Sequence, residues 1–143
     1  MNAEELIRRY QAGERDFRWA DLSEADLHTA KLAQVNLASA DLHIANLAQA
    51  NLAGADLSWT ILSWANLGGA NLGMADLSMA NLNGADLTGA DLTGANLRMV
   101  DLRWAVLTGA NLHQANLFMA DVTKEQLADA LSLQDATLPD GTN

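Results

Sequence analysis

The sequence has no cysteine and only one proline among its 143 residues. Without cysteine, a disulfide framework and a thiolate metal site are both excluded. No apolar run approaches the length of a membrane-spanning helix, because Asp or Asn interrupts the chain at nearly every fifth position. The first residues lack the basic and apolar regions of a secretory leader, so we expect a cytoplasmic protein that does not associate with membranes. The length is that of one domain with a continuous core.

Positive charge is also scarce. The chain has 8 Lys and Arg against 18 Asp and Glu, a net charge of −10, and no basic residue lies between Lys31 and Arg98. This balance opposes direct binding to nucleic acid. Two interpretations of the acidic residues stay open: Asp alternates with Asn at one repeat position, or an acidic body binds a basic partner or imitates nucleic acid. The aspartates in the interval without basic residues are Asp41, Asp56, Asp76, Asp86 and Asp91.

What the chain does contain is a five-residue unit of the form Ala-(Asp/Asn)-Leu-x-x. We call the Leu position the centre of a unit. Centres recur every five residues from Phe17 to Val122 without an insertion, which makes 22 units. The residue two before the centre is Ala except at Arg15, Val35, Thr60 and Val100. The residue just before the centre is Asp or Asn except at Lys31, Ile61 and Val106.

A period of five excludes the two common regular structures. In an α-helix at about 100° per residue, successive Leu side chains would point about 140° apart and form no apolar face. A plain strand needs an even period. A short extended piece followed by a corner satisfies the pattern, because Ala and Leu then point to one side and the intervening Asp or Asn to the other. Repeated corners coil the chain, and stacked coils share one core of Leu and Ala, as in solenoid proteins.

These residues resemble the pentapeptide-repeat proteins over about three-quarters of the chain, and the pattern is similar to that of small cyanobacterial members. The resemblance implies an all-β solenoid, a right-handed quadrilateral β-helix with four units per coil. About five and a half coils would then form a stack of roughly 26 Å, at about 4.8 Å per coil. The implied inner columns include the predicted structural core residues Phe17, Leu22, Leu42, Leu62, Leu82 and Leu102.

The two ends of the chain depart from the repeat and predict caps. Residues 1–16 predict a short helix that begins after Asn2, with Glu5 in a capping-box position. Residues 17–123 form the predicted β-helix. Residues 124–143 predict a C-terminal capping helix and tail, because Thr123 and Gln126 have the capping-box form. Both caps are expected, since a solenoid end exposes core and unpaired strand edges.

With four units per coil, residues twenty apart lie above one another. The first face has centres Phe17, Leu37 and so on, and the second face has centres Leu22, Leu42 and so on. We call the column of last residues on each face a corner. The first corner consists of Trp19, Ser39, Trp59, Met79, Met99 and Met119, and the second of Glu24, Ile44, Trp64, Gly84, Trp104 and Lys124. The two remaining corners are rich in glycine, which suits the positive φ of a type II turn.

All four tryptophans therefore flank the second face. Two interpretations remain open: the corner side chains stack into ladders that steady adjacent coils, or they form a surface for a partner or for self-association. The candidate protein-interaction residues are Trp19, Trp59, Ile61, Trp64, Met79, Met99, Trp104 and Met119.

Catalysis has little support in the sequence. The three histidines fall on three different faces and cannot share a metal ion. Ser23, His43 and Ser63 share one column with Asp41 nearby, but a flat solenoid wall offers neither a pocket nor oxyanion donors. We therefore predict no catalytic residue, cofactor, metal or small-molecule substrate.

The function expected from the sequence is that of a non-enzymatic scaffold for an unidentified protein partner or for self-association. The alternative comes from the resemblance, which implies that some members of this family modulate DNA gyrase by mimicking DNA.

Overall fold

The computed structural model describes all 143 residues as a solenoid with a helix near each end, α1 (Ala3–Gln11) and α2 (Lys124–Ala128). Between the helices the β-structure consists of isolated parallel bridges, one for each unit, and not of longer strands. From Asp16 to Asp101 each bridge joins residues twenty apart, as Asp21 joins Asp41. Since twenty residues are four units, the coil has the four sides that the resemblance implies. Its right-handed sense stays a prediction.

Each unit is held by two kinds of backbone hydrogen bond. Between coils, the N–H of Leu42 donates to the carbonyl of Ile61 at 2.7 Å, and the N–H of Asp41 donates to that of Ala20 at 2.9 Å. Within the unit, the N–H of Ala45 donates back to the carbonyl of Leu42 at 3.0 Å and closes a β-turn. The short extended piece and the corner predicted from the five-residue period are both present.

The centre residues fill the interior of the coil. Those from Phe17 to Leu117 are all buried, and most of the Ala residues two positions earlier are buried beside them in one continuous core. Each fully buried Leu contributes about 1.5–3 kcal/mol of gross transfer free energy. The six predicted core residues lie in this interior: Phe17, Leu22, Leu42, Leu62, Leu82 and Leu102.

Helix α1 covers the first coil. The side-chain oxygen of Asn2 accepts a hydrogen bond from the N–H of Glu5 at 2.8 Å and starts the helix. Leu6 is completely buried against the core, and the Tyr10 hydroxyl donates to the carbonyl of Ala33 at 2.8 Å. The helix is thus tied to the wall of the solenoid at several points along its length. Neither helix is long and apolar enough to cross a membrane.

Helix α2 interrupts the stack and shifts its register by one residue. Its start carries the predicted capping box between Thr123 and Gln126. Beyond it the chain returns to the solenoid, and Asn111 bridges to Ser132, a separation of 21 residues instead of twenty. Thr137 forms a second such bridge. The segment after α2 therefore adds two further units to the stack.

Candidate protein-interaction surface

Every corner residue from Trp19 to Met119 has a positive φ, between 57° and 71°. Sequence reasoning linked this conformation to the glycine corners only, and the structure extends it to tryptophan, methionine, glutamine and other residues. A left-handed conformation costs a residue with a Cβ roughly 1–2 kcal/mol. The fold tolerates this cost because ladder hydrogen bonds and core packing hold each corner from both sides.

The candidate residues lie on the two corners and the face between them, as the four-unit register requires. Trp19 and Trp104 are 76% and 79% exposed, and Trp59 and Trp64 are 60% and 59% exposed. Ile61 and two methionines are exposed as well, whereas Met79 is partly buried. The surface therefore presents large apolar side chains to solvent on both sides of the second face.

Corner side chains lean onto the next coil. An added Cβ on Gly84 would lie 2.5 Å from ring atoms of Trp64, so the indole rests directly on the glycine twenty residues later. Met74 lies over Gly94 in the same manner on another corner. The stacking interpretation thus describes the contact of Trp64, yet more than half of this indole is still exposed. Stacking and availability to a partner are compatible at this site.

The apolar band crosses the second face in one coil. Trp59 and Trp64 occupy the two corners of this coil that flank the second face, and Ile61 replaces the usual Asp or Asn between them. Thr60, in the position of the usual Ala, is completely buried, and its hydroxyl donates to the carbonyl of Leu57 at 2.6 Å. The substitution at residue 60 is therefore accommodated inside the coil, and the one at residue 61 changes the outer surface.

The aromatic rings differ in their contact with arginine. Each of the three rings that are not tryptophan carries an arginine guanidinium over its face: Phe17 with Arg9 at 5.2 Å, Tyr10 with Arg15 at 3.8 Å and Phe118 with Arg98 at 5.3 Å. None of the four tryptophans has such a contact. Tryptophan has the ring that attracts cations most strongly, yet no cation of this chain occupies any of the four indoles.

The Asp and Asn side chains have a structural task that sequence reasoning missed. The Oδ1 atom of Asp41 accepts a hydrogen bond from the backbone N–H of His43 at 2.9 Å, and most units repeat this contact. Such a turn is a known preference of Asp and Asn, and it could have been inferred from their place before a corner. Asn residues also link coils, since Nδ2 of Asn96 donates to Oδ1 of Asp76 at 3.2 Å.

Hydrogen bonds also keep several of these carboxylates ionised. The hydroxyl of Ser23 lowers the pKa of Asp21, and the guanidinium of Arg103 lowers the pKa of Asp101. The pKa of Asp16 falls from 3.8 to about 2, chiefly because Arg18 donates side-chain hydrogen bonds to it. The acidic residues are thus engaged in the corners of the coils.

The column with serine and histidine forms a pair and not a triad. His43 Nδ1 and Ser63 Oγ lie 2.8 Å apart. The Oδ1 atom of Asp41 instead accepts from the backbone N–H of His43, and Ser23 donates to Asp21 at 2.7 Å. No carboxylate orients the other ring nitrogen of His43, so the arrangement lacks the third member of a hydrolytic triad. No group of three potential ligands is placed to hold a metal ion.

The repeats match a known family across most of the chain. The family model described as "Pentapeptide repeats" matches in 8 copies, over residues 16–43, 30–69, 60–98 and 85–123. The chain belongs to the pentapeptide repeat family. No curated protein matches it.

Several solved structures are similar to this chain. Rfr23 from the cyanobacterium Cyanothece 51142 is 25% identical, with a TM-score of 0.54 over 95% of this chain and 99% of its own. The protein alr5209 from Nostoc PCC 7120 is 34% identical over 90% of this chain and 93% of its own, with a TM-score of 0.49. A trypsin-treated variant of QnrB1, a plasmid-mediated fluoroquinolone resistance protein, is 18% identical. Its TM-score is 0.65 over 88% of this chain and 66% of its own, and this likeness concerns the fold alone.

Proposed function

We propose that this pentapeptide repeat protein is a non-enzymatic scaffold that binds a protein partner through its second face and the two flanking corners. One observation carries the proposal: four tryptophans occupy corners at positive φ and remain between 59% and 79% exposed. A bulky side chain in this conformation lowers the free energy of unfolding. Because the tryptophans are mostly exposed, their packing against the protein offsets only part of this loss. Tryptophan is also the residue type most enriched among those that dominate binding energy at protein interfaces.

The experiment is a quantitative pull-down from a lysate of the source organism. It compares the wild-type protein with a Trp59→Ala/Trp64→Ala double variant, which removes both ends of the apolar band. A residue that dominates an interface contributes about 2 kcal/mol or more, so we expect recovery of the partner to fall at least about tenfold.

The matched control is Met74→Ala. Met74 is as exposed as the tryptophans, at 73%, but lies on the fourth corner, away from the second face. Circular dichroism should show the same folded state for all three proteins. If the double variant recovers its partners as efficiently as the wild type, the proposal is contradicted. The tryptophans would then serve only to stack adjacent coils.

A second candidate is DNA mimicry against a topoisomerase such as DNA gyrase. It is favoured by the net charge of −10 and by Asp56 and Asp76, which bridge directly on the first face. The neighbouring positions of that column are Asn36 and Asn96, so the charges do not continue as a row. A supercoiling assay with gyrase, with and without a quinolone, tests this function, and an absence of any effect would reject it. The cytoplasmic location stays a prediction of the sequence.

A further inference from the structure

The second corner loses its next coil at Trp104. In the coils before it, the N–H groups of Trp64 and Gly84 each donate to the following coil at 2.9 Å. The N–H of Trp104 donates no hydrogen bond, because the chain turns into α2 at Lys124, where the next corner would lie. The indole that should rest on a further corner therefore stands at the rim of an open notch.

This notch has a volume of about 500 Å³. Its lining residues are Arg103, Trp104, Ala105, Asp121, Thr123 and Gln126. The volume lies within the range of about 300–1,000 Å³ that is usual for small-molecule sites, so the notch has room for a single side chain. Lys124, which follows Thr123 in the sequence, does not line the notch but a separate cavity of about 220 Å³ with Leu127 and Leu138.

The charges around the notch include one carboxylate that accepts no hydrogen bond and is only loosely ion-paired. The guanidinium of Arg103 is engaged by Asp101 through two hydrogen bonds of 2.9 and 2.7 Å. Its Nε forms a second, longer ion pair with Oδ2 of Asp121 at 3.6 Å, which is beyond hydrogen-bond length, and the Asp121 side chain is 68% exposed. The three groups together carry one net negative charge, beside an indole face that has no cation over it.

We propose that the notch binds an arginine side chain from an extended basic segment of the protein partner. The guanidinium stacks on the indole of Trp104 and pairs with the carboxylate of Asp121, while a peptide carbonyl of the same segment accepts the free N–H of Trp104. Arginine fits better than lysine because its planar and weakly hydrated group both stacks on aromatic faces and pairs with carboxylates. The inference rests on the proposed function and specifies the chemistry of the partner.

The test is an NMR titration of the full chain with a capped tripeptide, Gly-Arg-Gly, against the same peptide with neutral citrulline in place of arginine. We expect saturable shifts at the indole N–H of Trp104 and the amide of Thr123 with the arginine peptide, and none with citrulline. Asp121→Asn should weaken binding about tenfold, because it removes one partner of a charge pair. Asp56→Asn, which removes a carboxylate from the first face, should leave binding unchanged.

Three results would overturn the inference. The first is the lack of a saturable shift up to about 10 mM peptide, a concentration range that covers dissociation constants near 1 mM. The second is equal shifts with the citrulline peptide. The third is binding that Asp121→Asn leaves intact. The outcome is separable from that of the proposed function, because the pull-down variants alter only Trp59 and Trp64 or Met74. A partner lost on changing Trp59 and Trp64, together with a failed titration, would reject the notch and retain the interaction surface.

Discussion

At the scale of single residues, the corner position makes two demands on its side chain. The backbone must adopt positive φ, and the side chain must lie against the corner of the next coil. Gly84 meets both demands at once, because it has no Cβ to strain and none to obstruct the indole of Trp64. At this corner a large side chain such as Trp64 therefore requires a small residue such as Gly84 twenty positions later.

Gly84→Ala should destabilise the protein more than Gly89→Ala. Both glycines have positive φ, at +71° and +66°, but an added Cβ meets the indole of Trp64 at residue 84 and nothing within 4 Å at residue 89. We expect the free energy of unfolding to fall by about 1 kcal/mol for Gly89→Ala, the cost of the conformation. Overpacking should remove a further 1–3 kcal/mol, roughly, for Gly84→Ala.

Urea denaturation measures both losses, and tryptophan fluorescence reports the displaced indole. In a Trp64→Ala background the two glycine substitutions should cost the same. Equal costs in the wild-type background would mean that the indole swings away freely.

At the scale of elements, α2 ends one regular coil, and a side chain pairs part of the edge that the coil leaves exposed. In the preceding coil the carbonyl of Ala85 accepts from the backbone N–H of Val106. One coil later the carbonyl of Ala105 accepts instead from the side chain of Gln126, whose Nε2 lies 2.8 Å away. The same Nε2 reaches the carbonyl of Leu102 at 2.7 Å. A side-chain amide thus replaces the backbone donor that the helix has removed.

Gln126→Ala should therefore loosen the C-terminal end of the solenoid. The change leaves the carbonyl of Ala105 without its donor and removes the Oε1 acceptor of the capping box, 2.9 Å from the N–H of Thr123. We expect the free energy of unfolding to fall by about 1–3 kcal/mol, the cost of leaving such a group unsatisfied.

Hydrogen exchange should show faster opening in residues 123–138 than in the coils around Leu62. Glu125→Ala, a neighbouring change on the exposed side of the same helix, is the control and should have little effect. Similar exchange rates in the two variants would show that water replaces the amide of Gln126 without loss.

At the scale of the whole molecule, an excess of acidic residues coexists with close stacking because the carboxylates are spread and bonded. Asp and Asn are mixed in most columns, although Asp56 and Asp76 bridge directly, and Oδ1 atoms accept from backbone N–H groups at the corners. Hydrogen bonding of this kind favours the ionised form. Four aspartates have lowered pKa values despite a net charge of −10, and the largest cause for each is a side-chain hydrogen bond. The donors to Asp16, Asp21, Asp101 and Asp140 are Arg18, Ser23, Arg103 and Thr142, respectively.

The stability of the fold should consequently decrease in acid. A carboxyl group whose pKa is lower in the folded state contributes stability above its unfolded pKa, and this contribution disappears as the pH falls through the folded value. For Asp16 the window runs from 3.8 down to about 2. We expect the urea midpoint, followed by circular dichroism, to be flat between about pH 5 and 7 and to fall below about pH 4.

Asp16→Asn, which keeps the acceptor at the corner and removes the ion pair with Arg18, should show a shallower decrease. A midpoint that rises on acidification would instead show that repulsion among the carboxylates governs stability.

The sequence by itself determined that the chain forms a solenoid, because the relevant information is local and repeated. A Leu every fifth residue, with Ala two positions earlier, predicts a coil in which these side chains share an interior, and the structure places Phe17, Leu62 and Leu102 there. The four sides of the coil were implied by the family resemblance and not by the period itself. The starts of both helices were equally predictable, since Asn2, Thr123 and Gln126 act on neighbours a few residues away. The predicted C-terminal cap and tail over residues 124–143 did not anticipate the two units that follow α2.

Only the tertiary structure decided what depends on residues a full coil apart. The indole of Trp64 resting on Gly84, the side chain of Gln126 replacing a backbone donor and the notch beside Trp104 join positions about twenty residues distant. Their side-chain directions follow from the lean of each corner onto the next coil and from the one-residue shift at α2. No local pattern encodes that lean or that shift, because both arise from packing between coils.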